Sequence, residues 1–90
     1  METVTLDLNG ETIGSILERK RKEESVSLRE ISNKTCIGIR YLEFIEKGEF
    51  HKLPCRPYNR GFVSAYAAHI GLDSKAVVEK VDFEVSLETS

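Results

Sequence analysis

Residues 27–48 read SLREISNKTCIGIRYLEFIEKG, and the fold turns on this stretch. Ser27-Leu28-Arg29-Glu30 is a capping box, in which the serine hydroxyl takes a backbone N–H and the glutamate reaches back to the cap. Leu28 and Ile31 then point inward, and Val26 before the cap serves as a hydrophobic staple. The helix is short and ends near Thr35. A tight turn through Cys36 and Ile37 leads to a second helix over about 38–47, where Ile39, Leu42 and Ile45 share one face. Gly48 supplies the stop. Two short helices joined by so brief a turn have the outline of a helix-turn-helix.

Working outward on the N-terminal side, Thr12 is the N-cap of a preceding helix with an apolar stripe of Ile13, Ile16 and Leu17. Its basic run, Arg19 to Lys22, reads as a solvated face near the helix C-terminus, where the macrodipole favours cations. Residues 1–11 form an arm in which Val4, Leu6 and Leu8 alternate with polar residues at the period of a strand.

On the C-terminal side, residues 49–56 make an irregular loop pinned by Phe50 and Leu53. Pro57 suits the first position of a fourth helix that runs to about Ile70, with Gly71 as its stop. Asp73 or Ser74 caps a fifth helix carrying Ala76, Val77, Val78 and Val81. Val81, Phe83, Val85 and Leu87 then alternate with polar residues, so the tail reads as a strand that pairs with the N-terminal arm. The expected organisation is an arm over 1–11, a domain over 12–81 and a tail over 82–90. The expected class is all-α: five short helices with strand-like ends.

Composition narrows the function. Ninety residues hold one domain. Thirteen Lys+Arg against fifteen Asp+Glu give a formal net charge of −2, which argues against a strongly basic nucleic-acid binder. No apolar run approaches a membrane span, and residues 1–10 lack the features of a secretory signal. Cys36 and Cys55 lack CxxC spacing and read as reduced thiols. His51 and His69 stand apart, and no nucleophile elbow or phosphate-cradling glycine loop is present. Neither an enzyme nor a metal or other cofactor site is expected.

Two surfaces remain as candidates. A groove-reading third helix would present Arg40, Tyr41 and Lys47, but Glu43 lies between them, and the Arg40/Glu43 and Glu43/Lys47 spacings suit intrahelical ion pairs. In the fourth helix, Tyr58, Phe62, Ala65, Tyr66 and His69 share a sector that continues through Val63, Ala67 and Ile70, an apolar arc of roughly 200° where a single core contact needs roughly 100°. The excess means either a helix packed on both sides or a docking surface anchored by Tyr58 and Phe62 with Arg56 and Arg60 at its rim. From Phe50 to Leu72 no acidic residue occurs, which places the basic patch on the loop and fourth helix.

The signatures Ile13-Gly14 with Leu17 and Arg21, Ser27 to Ile31, Ile37 with Arg40 to Glu43, Ile45 to Phe50, Leu53-Pro54, and Tyr58-Asn59-Arg60-Gly61-Phe62-Val63-Ser64-Ala65-Tyr66-Ala67 resemble the N-terminal cytoplasmic domain of the RodZ family. The resemblance ends at Gly71-Leu72-Asp73. It implies an Xre-like helix-turn-helix with extra C-terminal helices, in a bacterial cell-shape protein whose domain binds an MreB-type actin filament beneath the inner membrane. It further implies that the aromatic pair carrying that contact is Tyr58 and Phe62. Proteins of the family continue through a basic juxtamembrane stretch into a single membrane helix, and this chain holds neither. The resemblance therefore implies either the cytoplasmic portion of a longer protein or a soluble relative. Such domains are also described as DNA-binding, which leaves a transcriptional regulator as the rival reading.

Overall fold

The computed structural model describes residues 12–55 and 58–89. Among them are five α-helices, one 3-10 turn and no strand: α1 (Ile13–Glu23), α2 (Leu28–Thr35), α3 (Ile39–Lys47), the turn Phe50–Lys52, α4 (Arg60–His69) and α5 (Ser74–Thr89). The helix-turn-helix is α2–α3. The expected strand over Val4–Leu8 lies outside the described residues.

Local chemistry sets most boundaries. Thr12 accepts from the Ser15 N–H at 3.2 Å and so caps α1. Ser27 accepts from Glu30 N–H at 3.0 Å. The reciprocal half of the capping box is not made among the described residues, because the Glu30 carboxylate turns instead to His69 Nε2 at 3.3 Å. Cys36 closes α2 in the left-handed region (φ 63), donating to Ser32 O. In the same turn, the Thr35 hydroxyl donates to Ile31 O and accepts from Ile37 N–H. Gly48 (φ 76) ends α3, and the Glu49 N–H reaches back to Phe44 O at 2.8 Å, a Schellman closure.

Two sequence expectations fail here. Pro57 does not open α4. Asn59 caps it instead, accepting from Phe62 N–H at 3.1 Å, and the helix begins at Arg60. Tyr58 therefore precedes the helix and does not share a helical face with Phe62. The tail is likewise not a strand. Once Asp73 has capped α5 through the Lys75 and Ala76 N–H groups, nothing breaks the helix before Thr89. Val77, Val81 and Val85 repeat every four residues, a spacing that fits a helix as well as a strand, and they pack inward. Phe83 and Leu87, which a strand would have turned to the same side as Val81, are exposed.

The core gathers Ile13, Leu17, Ile31, Ile37, Leu42, Ile45, Phe50, Leu53, Tyr58, Val63, Tyr66, Ala67, Ile70, Val77 and Val81 from every element. α4 lies centrally, against α5 on one side and against α2 and α3 on the other. α1 rests directly on the end of α3. A Cβ at Gly14 would come within 2.5 Å of Ile45 O and 2.6 Å of Glu46 O, so only glycine permits this approach.

Candidate functional site

Two clusters follow from this packing. The first is half-buried between helices. The Arg21 Nε donates to Glu46 Oε2 at 2.7 Å, while the Arg21 Nη1 donates to Val26 O at 2.9 Å. The Tyr66 hydroxyl donates to the same Glu46 carboxylate. Side-chain exposure is 11% for Arg21 and 8% for Glu46, so the pair is partly shielded from water and stronger than a surface pair. The Glu46 hydrogen bond raises the Arg21 pKa against the opposing effect of burial. Burial, and then the hydrogen bond to Glu46, push the Tyr66 phenol well above its ordinary range. One carboxylate thus ties α1, α3 and α4 together. The sequence reading left Glu46 without this role, because its partners lie 25 and 20 residues away in the chain.

The second cluster lies on the surface where α3 meets α4. The Tyr41 ring stands edge-on to Phe44, with centroids 6.2 Å apart, and tilted against Phe62 at 5.7 Å. All three rings are half-buried, with one side on the core. The Arg40 guanidinium stands 5.9 Å from the Tyr41 centroid, and Lys52 Nζ stands 5.3 Å from that of Phe44, both within cation–π range.

The proposed site residues are placed as follows. Phe62 joins the surface cluster. Tyr58, expected as an exposed anchor, is 2% exposed. Its ring packs on Phe50 at 5.7 Å, and its hydroxyl donates to Asp82 Oδ1 at 2.7 Å. Burial, then Asp82, raise its pKa well above the usual phenol range. Arg60 is exposed, stacks 5.3 Å over the Tyr58 ring and donates to Asp82 at 3.0 Å. Arg56 lies outside the described residues. Of the third-helix residues, Arg40 and Lys47 are exposed and Tyr41 is half-buried.

The charge map differs from the one read along the chain. The acid-free run from Phe50 to Leu72 receives its acids from elsewhere: Lys52 pairs with Glu49, Arg60 with Asp82 and His69 with Glu30. Among the described residues, no ion pair joins Glu43 to Arg40 or to Lys47. Arg29, Lys34, Arg40 and Lys47, all exposed and all on α2 or α3, have no carboxylate partner there either. Among the described residues, the basic side chains of the helix-turn-helix are thus open to a partner, while Lys52 and Arg60 already have acids. Cys36 and Cys55 are free and exposed, and among the described residues no cluster of His, Cys, Asp and Glu could hold a metal. No helix of the described residues is long and apolar enough to cross a membrane.

Comparison with known proteins agrees with the helix order. The chain is 37% identical over 71 residues to the cytoskeleton protein RodZ of Streptococcus pneumoniae, covering 79% of this chain and 26% of that protein. It therefore spans about a quarter of that relative's length. YmfM of Staphylococcus aureus, described as a candidate DNA-binding membrane protein, superposes with a TM-score of 0.74 at 28% identity, over 82% of this chain and 90% of that one. Residues 16–77 match the family described as Helix-turn-helix domain, from the second turn of α1 into α5. On that match and the RodZ likeness together, the chain belongs to the helix-turn-helix domain family, in its RodZ-like form.

Proposed function

We propose that this domain is a non-catalytic adaptor on the cytoplasmic side of the membrane that docks onto an MreB-type actin-like filament through the start of α4. The carrying observation is Phe62. The Asn59 cap holds it in the first turn of α4, with part of its ring open to solvent, beside Tyr41. An aromatic ring presented in this way has the area and rigidity of an interface anchor. In this reading Arg60, and Arg56 before it, form the rim. Tyr58 acts from beneath: its hydroxyl holds Asp82, and Asp82 holds Arg60. The RodZ relative, named as a cytoskeleton protein, supports the choice of partner.

The test is co-sedimentation with polymerised MreB-type protein. Phe62→Ala is expected to weaken binding about thirtyfold, the effect of losing an anchor worth about 2 kcal/mol. Arg60→Ala is expected to weaken it less, as rim charges do. Melting curves by circular dichroism, run on the same samples, separate lost contact from lost fold. A folded Phe62→Ala domain that binds like the parent defeats the reading.

DNA binding is the second reading, favoured by the open cations of α2 and α3 and by the description of YmfM. It expects Arg40→Ala with Lys47→Ala to weaken duplex binding and to flatten its salt dependence. Gel shift across a salt series checks it.

A further inference from the structure

We infer that the docking surface extends from α4 across α3, and that it fits an acidic protein surface in which carboxylates border an apolar side chain. The inference rests on the adaptor reading and deepens it. Tyr41, Phe44 and Phe62 form one continuous aromatic strip across the two helices, with centroid steps of 6.2 and 5.7 Å. The inner sides of the rings pack on the core, so the strip is already ordered and binding need not freeze it. A cation stands over each α3 ring: Arg40 over Tyr41 and Lys52 over Phe44.

Charge selects the complement. Aromatic faces attract cations and their edges attract anions. A carboxylate reaching this strip therefore meets a ring edge and a guanidinium together. Arg40 has no carboxylate of its own among the described residues, and its counter-charge is left to come from outside. Lys47, two turns along the same face, is likewise open among the described residues, whereas Lys52 is shared with Glu49. Glu43 sits on the same exposed face, between Arg40 and Lys47. That carboxylate suits a discrete protein partner, whose own charges match around it, better than the uniform line of phosphates on a duplex. The helix that reads DNA in other helix-turn-helix proteins is thus turned here toward a protein.

The experiment compares Phe62→Ala, Tyr41→Ala and Arg40→Glu in co-sedimentation with MreB-type filaments at low and high ionic strength. Anisotropy with a labelled duplex runs in parallel. Tyr41→Ala is expected to lose about tenfold in filament affinity. Arg40→Glu, an exposed position that leaves the fold alone, is expected to lose about tenfold at low salt and less at high salt. If Phe62→Ala binds normally, or if the parent chain does not bind at all, the adaptor reading itself fails, and this extension with it. If Phe62→Ala weakens binding while folded Tyr41→Ala and Arg40→Glu do not, the adaptor reading stands and the extension to α3 is overturned. It is equally overturned if Arg40→Glu abolishes duplex binding and leaves filament binding intact.

Discussion

Replacing Glu46 by Ala removes the acceptor that Arg21 and Tyr66 share and leaves the shielded guanidinium to the Val26 carbonyl. Losing a hydrogen bond to a charged group typically costs about 1.5–3 kcal/mol. In a domain of this size, that lowers the melting temperature by about ten degrees or more at roughly 4–8 °C per kcal/mol. Tyr66→Phe, which deletes only the hydroxyl, is expected to cost about 1–2 kcal/mol in urea titration. The two phenols also set an alkaline limit. Unfolded tyrosines ionise near pH 10, whereas Tyr58 and Tyr66 remain protonated above that in the fold. Above about pH 10 the unfolded state therefore binds fewer protons than the native one, and stability falls with rising pH by up to about 1.4 kcal/mol per unit for each tyrosine. The contribution is fully present below that range. Tyr66→Phe removes one of the two titrations, so its stability is expected to fall less steeply between about pH 10 and 11. An equally steep fall would place the titration elsewhere.

Among the elements, α1 and α5 carry the sharpest tests. Gly14→Ala would force a methyl into the backbone at the end of α3. Overpacking of this kind costs about 1–3 kcal/mol, against the slight gain in stability that Ala for Gly brings to an open helix position. Thermal melting of the variant reads the sign directly. The second half of α5 is structural rather than a dispensable tail. Asp82 accepts from Tyr58 and Arg60, and Glu84 Oε2 accepts from the Ile13 N–H at 2.8 Å, placing a carboxylate on the first turn of α1. Cutting the chain after Val81 is expected to destabilise the domain by at least about 2 kcal/mol, since hydrogen bonds to charged groups count for about 1.5–3 kcal/mol each. Urea unfolding of the shortened chain checks this; an unchanged midpoint would show that α5 is needed only as far as Val81.

For the whole molecule, tertiary pairing redistributes charge that the chain order had grouped. Glu49 and Asp82 pair with Lys52 and Arg60, Glu30 meets His69, and open cations remain on α2 and α3. Partner binding is therefore expected to weaken with salt even though the chain carries a net charge of −2. A binding curve indifferent to ionic strength would mean that the aromatic strip alone supplies the affinity.

The sequence by itself determined the all-α class, the helix-turn-helix, the caps at Thr12 and Ser27 and the stops at Gly48 and Gly71, and it narrowed the α5 cap to Asp73 or Ser74, because each depends on a few adjacent residues. Helical period also turned Arg40 and Lys47 outward, whereas it placed Phe62 in one sector with the buried Tyr66 and left core and docking surface open as alternatives. Where α4 begins and whether Tyr58 lies inside or out were not readable in this way, because Pro57 as a first helical residue and Asn59 as a cap each give a sound start, and it is Phe50, outside the helix, that covers the ring. The form of the tail was ambiguous for a different reason: valines four apart satisfy both periods, and packing against α4 chose the helix. Only the tertiary structure decided which polar groups meet. Glu46 with Arg21, Glu30 with His69 and Asp82 with Arg60 are pairs between helices, and partners so far apart in the chain come within reach only once the helices have packed.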